Sequence, residues 1–199
     1  MDRFVSSIRK AVADENWFSA LFLALAVPDI CGALETPPTG RRGEVGERYE
    51  NWFNKYLKAK YDPENLYELV LSRDPDAITT MGARELESLK AMPPKDNCSF
   101  TAADCYRFRC KCLHQGLIKK EGGETFMFIT PPPNGNVSHS SSIDGMYYLQ
   151  IDVFCEDICL AVEHWIQDVK GNEDVCSRID ELISIHHYGC LEPAVIFRS

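Results

Sequence analysis

The sequence lacks an excess of positive charge, an apolar stretch of membrane-spanning length and a secretory signal. Lysine and arginine total 21 against 30 aspartate and glutamate residues, a net charge of −9. An acidic surface repels phosphate backbones, which disfavours broad nucleic-acid binding but is compatible with a local basic site. The apolar run 17–27 is shorter than the roughly 20 residues that cross a bilayer. Acidic Asp14 and Glu15 precede it, where a signal peptide carries positive charge. We therefore expect neither a membrane span nor a secretory signal.

Several catalytic motifs are also missing. The chain has no phosphate-cradling glycine motif, no H-E-x-x-H and no G-x-S-x-G, so P-loop, zincin and α/β-hydrolase chemistry is not indicated. Nine cysteines, an odd number, are interpreted as free thiols in a reducing cytoplasm. Cys110 and Cys112 are two apart on a predicted helix and so diverge, which disfavours zinc. We expect no metal and no cofactor.

The hydrophobic pattern predicts a mainly α fold. We expect a single domain over residues 1–199, a bundle of about five to seven helices with a small two-stranded β-hairpin at about 125–153. The predicted helices cover 2–13, 15–34, 44–60, the motif helix 100–116, 152–169 and 172–187, with short helical pieces around 65–72 and 82–91. The predicted strands are "TFMFIT" and "MYYLQIDV". The Ser- and Pro-rich segment 131–145 between the strands is expected to be a loop, with His139 solvated.

The motif helix contains one residue in an unexpected position. At 100° per residue, Arg109 falls inside the apolar arc, between Cys105 and Cys112 on one side and Leu113 on the other. A buried arginine must be paired or hydrogen-bonded. One interpretation pairs it with a buried carboxylate, for which Asp29 is a candidate. The other makes it a phosphate-binding residue that acts with His114 as general acid or base.

Arg109 and His114 form an R-x4-H pair in a late helix of a helical chain, which resembles the HEPN superfamily. The resemblance implies a metal-independent endoribonuclease of a toxin–antitoxin or defence system, acting as a homodimer on RNA with an antitoxin protein as partner. It implies catalytic roles for Arg109, on the phosphoryl oxygens, and for His114, as the proton-transfer group. The alternative is a catalytically inactive HEPN-like module that binds a protein partner or nucleotide.

The spacing of this pair raises a geometric question. Five residues on a regular helix correspond to about 140° of rotation, so the two side chains would not share a face. The length of the arginine side chain, a loosened last helical turn or a second copy of the chain would have to bring them together.

Overall fold

The computed structural model describes residues 1–94, 99–115, 125–133, 135–143 and 146–185. Within these ranges the helices are α1 Asp2–Ala13, α2 Trp17–Glu35, α3 Glu44–Tyr56, α4 Lys58–Tyr61, α5 Leu66–Arg73, α6 Pro75–Thr79, α7 Ala83–Ala91, α8 Ala102–Gln115, α9 Ile151–Val169 and α10 Glu173–Asp180. The strands are β1 Thr125–Ile129, β2 Ser141–Ile143 and β3 Met146–Gln150. The predicted mainly α class with a small β insertion is confirmed.

The helix number differs from the expected five to seven because short helices occur that the pattern did not separate. The predicted helix 44–60 is interrupted at Leu57, so that α4 is a separate helix of four residues. A further helix of five residues, α6, follows α5 and begins with Pro75. Proline fits the first helical position, where its missing N–H has no partner to lose. Gly116, predicted to end the motif helix, lies outside the described residues.

The predicted hairpin is wrong in its strand pairing. Strands β1 and β3 run parallel, with Phe126 opposite Tyr147, and β2 pairs antiparallel with β3, so the strand order is β1-β3-β2. Parallel neighbours cannot be joined by a tight turn and need a long connection. The roughly fifteen residues between the two predicted strands provide it, and part of that predicted loop forms β2.

Helix α2 is the centre of the bundle. It packs against α1, α3, α8 and α9. Although its sequence is apolar nearly all round, its buried residues lie on one side of the helix, and Phe18 and Phe22 on the other side are exposed. The helix continues through Pro28. By length and composition alone α2 could also cross a membrane, although half of its apolar window is buried inside the protein. The expectation of no membrane span therefore stays a prediction.

Helix α8, which carries the R-x4-H pair, is fixed at its start and along its apolar side. The Thr101 hydroxyl accepts from the Asp104 N–H at 3.1 Å and donates to the Asp104 carboxylate at 2.7 Å, a reciprocal cap that makes Thr101 the N-cap of α8. Along the helix, Tyr106 lies against α3 where a Cβ on Gly46 would approach its ring to 2.9 Å. Glycine at this position lets the two helices approach closely. Arg109 is consequently placed at the junction of α2, α3 and α8.

Candidate active site around Arg109 and His114

Arg109 is held by a carboxylate of the central helix. Its Nη2 lies 2.8 Å from Oδ2 of Asp29, and the two side chains are only 15% and 21% exposed. Asp29 is the partner that the structural interpretation named, and this pairing is confirmed. A hydrogen-bonded ion pair in this setting fixes the direction of the guanidinium as well as compensating its charge.

His114 contacts the same guanidinium. Its Nε2 lies 3.5 Å from Nη1 of Arg109, within one chain, and the imidazole is exposed at the end of α8. Since guanidinium groups only donate, the ring accepts through an unprotonated Nε2 in this arrangement. The distance is at the long end for a hydrogen bond, so Asp29 remains the main anchor of Arg109. The length of the arginine side chain thus overcomes the 140° separation, and a second copy of the chain is not needed for the contact.

The remaining surroundings of Arg109 are aromatic rings and thiols. Tyr49 and Tyr106 pack with ring centroids 5.5 Å apart, and the Tyr49 hydroxyl lies 3.3 Å from the sulfur of Cys105. Cys110 places its sulfur 3.9 Å from Nη1 of Arg109. The Nε of Arg109 is buried without a hydrogen-bond partner in the described part of the chain. Nη1 is therefore shared by the Cys110 sulfur and His114, and Nη2 is bonded to Asp29.

Two of the three thiols on α8 do not suit nucleophilic catalysis. Burial raises the pKa of Cys105 to about 12 and that of Cys112 to about 11, which keeps both protonated at neutral pH. All seven cysteines in the described ranges are free, as the composition predicts for them, while Cys98 and Cys190 lie outside. Because these two thiols are not described, the expectation of no metal site stays a prediction.

A second polar cluster, which the sequence pattern does not predict, is centred on His139. Its side chain is only 8% exposed, so the expectation of a solvated loop residue is wrong. Nε2 lies 3.0 Å from the Tyr61 hydroxyl, and Nδ1 accepts the backbone N–H of Gln150 at 3.1 Å. Tyr61 donates onward to Asp157 at 2.7 Å, and Lys60 also donates to Asp157. This cluster joins the segment before β2 to α4 and α9.

The His139 cluster makes stability depend on pH. Burial lowers the pKa of His139, with Asp157 opposing the shift in part. The unfolded chain, with an ordinary histidine pKa of about 6.5, therefore binds the proton more readily than the folded protein. Stability from this residue is complete above that pH and is lost as pH falls below it, by at most about 1.4 kcal/mol per pH unit.

Urea denaturation of wild type and His139→Gln at several pH values tests this. The slope of the free energy of unfolding against pH should be smaller in His139→Gln than in wild type. It should be unchanged in the control His164→Gln, whose side chain lies on the surface of α9. Equal slopes in all three proteins would contradict the assignment to His139.

No protein-family model, no curated protein and no solved structure matches this chain.

Proposed function

We propose that the chain is a HEPN-like protein that cleaves RNA without a metal ion, using Arg109 and His114. The proposal depends most on one observation, the 3.5 Å contact between the guanidinium and the imidazole within one chain. An exposed proton-transfer group therefore stands next to an oriented cation, as phosphoryl transfer requires. The ion pair with Asp29 supports the same proposal because it holds the guanidinium in place before substrate arrives.

In the proposed reaction His114 removes the proton from a ribose 2′-hydroxyl, and the 2′-oxygen attacks the adjacent phosphorus. Arg109 donates to the phosphoryl oxygens, whose negative charge grows in the transition state. The bond to the 5′-oxygen breaks, leaving a 2′,3′-cyclic phosphate and a 5′-hydroxyl. The leaving oxygen needs a proton, which water or the His114 of a second copy would supply. Arg107, which pairs with Asp104, and Lys111 are two further cationic residues of α8.

A second candidate function is a catalytically inactive HEPN-like module that binds a protein partner or nucleotide. The observation in its favour is the same ion pair, because Asp29 already compensates Arg109 and the pair is only partly accessible. In that case Arg109 joins α2 to α8, and His114 is a surface residue near the end of its helix. The two candidates differ in the effect of removing His114.

Removal of the His114 imidazole tests the enzyme directly. His114→Ala should fold normally, since the side chain is exposed, and should lose at least about a hundredfold in RNA cleavage with a chelator present. The matched control is His164→Ala, which removes an exposed histidine from α9 and should cleave like wild type. Mass spectrometry of the products should show cyclic phosphate ends. Equal cleavage by wild type and His114→Ala would show that His114 is not the proton-transfer group, and no cleavage by wild type would favour the inactive module.

The homodimer belongs to the same proposal, together with a cytoplasmic location and an antitoxin protein as partner. A two-fold contact that places two R-x4-H pairs opposite each other would supply the second imidazole for the leaving group. A stable contact of this kind should bury at least about 1,000 Å² in total. Light scattering at micromolar protein should give the mass of two chains. A pure monomer would remove the second imidazole but would leave the contact between Arg109 and His114 in place.

A further inference from the structure

A polar cavity of about 290 Å³ lies between the C-terminal end of α2, the segment 36–43 and one face of α3. Neither Arg109 nor His114 lines it, so it is separate from the candidate active site. Its charged lining comprises Glu35, Arg41, Glu44, Glu47, Arg48 and Lys55. The number of cationic side chains equals the number of anionic ones, which makes the cavity highly charged but balanced.

Arg48 is the unexplained residue of this cavity. It is 9% exposed, and its Nη1 stands 3.6 Å from Glu44, beyond hydrogen-bond distance. Within the described ranges the guanidinium makes no hydrogen bond, and its Nε is fully buried without a partner. The backbone of α2 closes over it at Gly32, where a Cβ would lie 3.2 Å from the Cβ of Arg48. A rigidly held, buried guanidinium without acceptors is costly unless something supplies them.

Trp52, one helical turn further along α3, is also a buried donor without a hydrogen-bond acceptor. It is 3% exposed, it lines the cavity, and its indole Nε1 has no hydrogen-bond partner among the described residues. An indole N–H can only donate. Two buried donor groups on one face of α3 therefore border one cavity, and both lack an acceptor.

The glutamates of the cavity do not meet this need, because other donors engage them. Glu44 accepts from the Thr39 hydroxyl at 2.7 Å and from the Thr39 and Gly40 N–H groups at 3.0 Å. These bonds, the Thr39 hydroxyl first, lower the pKa of Glu44 to about 2. Glu47 is paired with Arg41. Glu44 thus compensates the charge of Arg48 at 3.6 Å without accepting a hydrogen bond from it, and Glu47 is engaged by Arg41.

Glu35 is an exposed carboxylate on the wall of the cavity. It accepts from the Trp165 indole but forms no salt bridge within the described part of the chain. Lys55, the remaining cationic residue of the lining, is paired with Asp168 outside the cavity. The cavity thus combines a buried guanidinium that lacks hydrogen-bond acceptors with an accessible carboxylate that has no cationic partner among the described residues. Because the cavity has as many anionic as cationic side chains, it disfavours a multiply charged anion such as phosphate. A simple cation would not supply the hydrogen-bond acceptors that Arg48 lacks.

We propose that this cavity binds a small zwitterion, an α-amino acid, with its carboxylate on the guanidinium of Arg48 and its ammonium group towards Glu35. A carboxylate matches the planar fork of arginine and can take two parallel hydrogen bonds from it. The ammonium group supplies the cation that Glu35 lacks.

The Trp52 indole gives a direct readout by ¹H–¹⁵N NMR, with its resonance assigned from Trp52→Phe. The probes are the twenty standard amino acids at about 10 mM, with acetate, methylammonium and inorganic phosphate as comparisons. At least one amino acid should shift the Trp52 resonance and raise the melting temperature, and the comparison ions should do neither. The proposal is overturned if no amino acid shifts the resonance, or if acetate or phosphate is as effective.

Variants separate Arg48 from a second arginine that lines the cavity. Arg48→Lys keeps the charge but loses the fork, and should weaken amino-acid binding at least about tenfold. The matched control is Arg41→Lys, whose side chain lines the same cavity but is paired with Glu47, and it should bind within about twofold of wild type. Should Arg48→Lys fail to fold, Glu35→Gln replaces it, because glutamine still accepts from Trp165 but removes the charge. Unchanged binding in the folded variant would overturn the proposal.

Discussion

Asparagine in place of Asp29 is expected to lower the free energy of unfolding by about 3 kcal/mol. The substitution keeps the size of the side chain but removes the charge that compensates Arg109, whose Nη2 is 2.8 Å from the carboxylate. Arg109 is only 15% exposed, so water cannot replace the lost partner fully. The 3.5 Å contact with neutral His114 supplies no compensating charge. Urea denaturation followed by circular dichroism measures the loss.

Two comparisons show whether this loss comes from the unpaired charge. Arg107→Met removes the neighbouring arginine of α8, which is 60% exposed in its pair with Asp104, and should change stability by no more than about 0.5 kcal/mol. Asp29→Asn combined with Arg109→Met removes both charges and should be more stable than Asp29→Asn alone. A loss below about 1 kcal/mol in Asp29→Asn would mean that Arg109 is satisfied without Asp29. The guanidinium would then be available to a substrate phosphate at little cost.

The burial of Arg109 and its partner could be predicted from the sequence because both follow from local geometry. A regular helix places residue 109 in the apolar arc of α8, and a charge there requires a carboxylate on a neighbouring buried helix. Asp29 is such a residue on α2. The contact with His114 could not be predicted in the same way, since it depends on the reach of a long side chain and not on the position of its Cα.

Residues of the other two polar clusters were missed for a different reason. His139 lies in a segment whose Pro, Ser and Gly content predicts a loop, and its burial arises from packing against Tyr61 and α9, which are distant in sequence. Arg48 lies on an amphipathic helix between aromatic residues, where an exposed position is the ordinary expectation for arginine. A signal was present for the sheet, because a connection of about fifteen residues favours parallel pairing over a hairpin.

The second large effect is expected at Asp157, the acceptor in the His139 cluster. Asp157→Ala should lower the free energy of unfolding by about 3 kcal/mol. Asp157 is 5% exposed and accepts from the Tyr61 hydroxyl at 2.7 Å and from Lys60. Tyr61 is fully buried, so its hydroxyl would be left facing only His139. Lys60 is 29% exposed and can turn partly to water, which keeps the expected loss near the lower end for a broken buried pair.

Asp168 on the same helix provides a matched control for Asp157. It too accepts from a tyrosine hydroxyl and a lysine, Tyr56 at 3.0 Å and Lys55 at 3.1 Å, but its side chain is 37% exposed. Since water can replace both partners there, Asp168→Ala should unfold at nearly the urea concentration of wild type. The comparison therefore varies burial while keeping the chemistry of the partners constant. Equal losses in the free energy of unfolding of the two variants would show that burial is not the reason why Asp157 stabilises the protein. In Asp157→Ala the loss of stability with falling pH should extend to lower pH, because Asp157 no longer opposes the lowered pKa of His139. A large loss in Asp157→Ala alone, with the pH dependence of His139 extended in this way, would show that the histidine and the aspartate act as one buried unit joining the segment before β2 to α9.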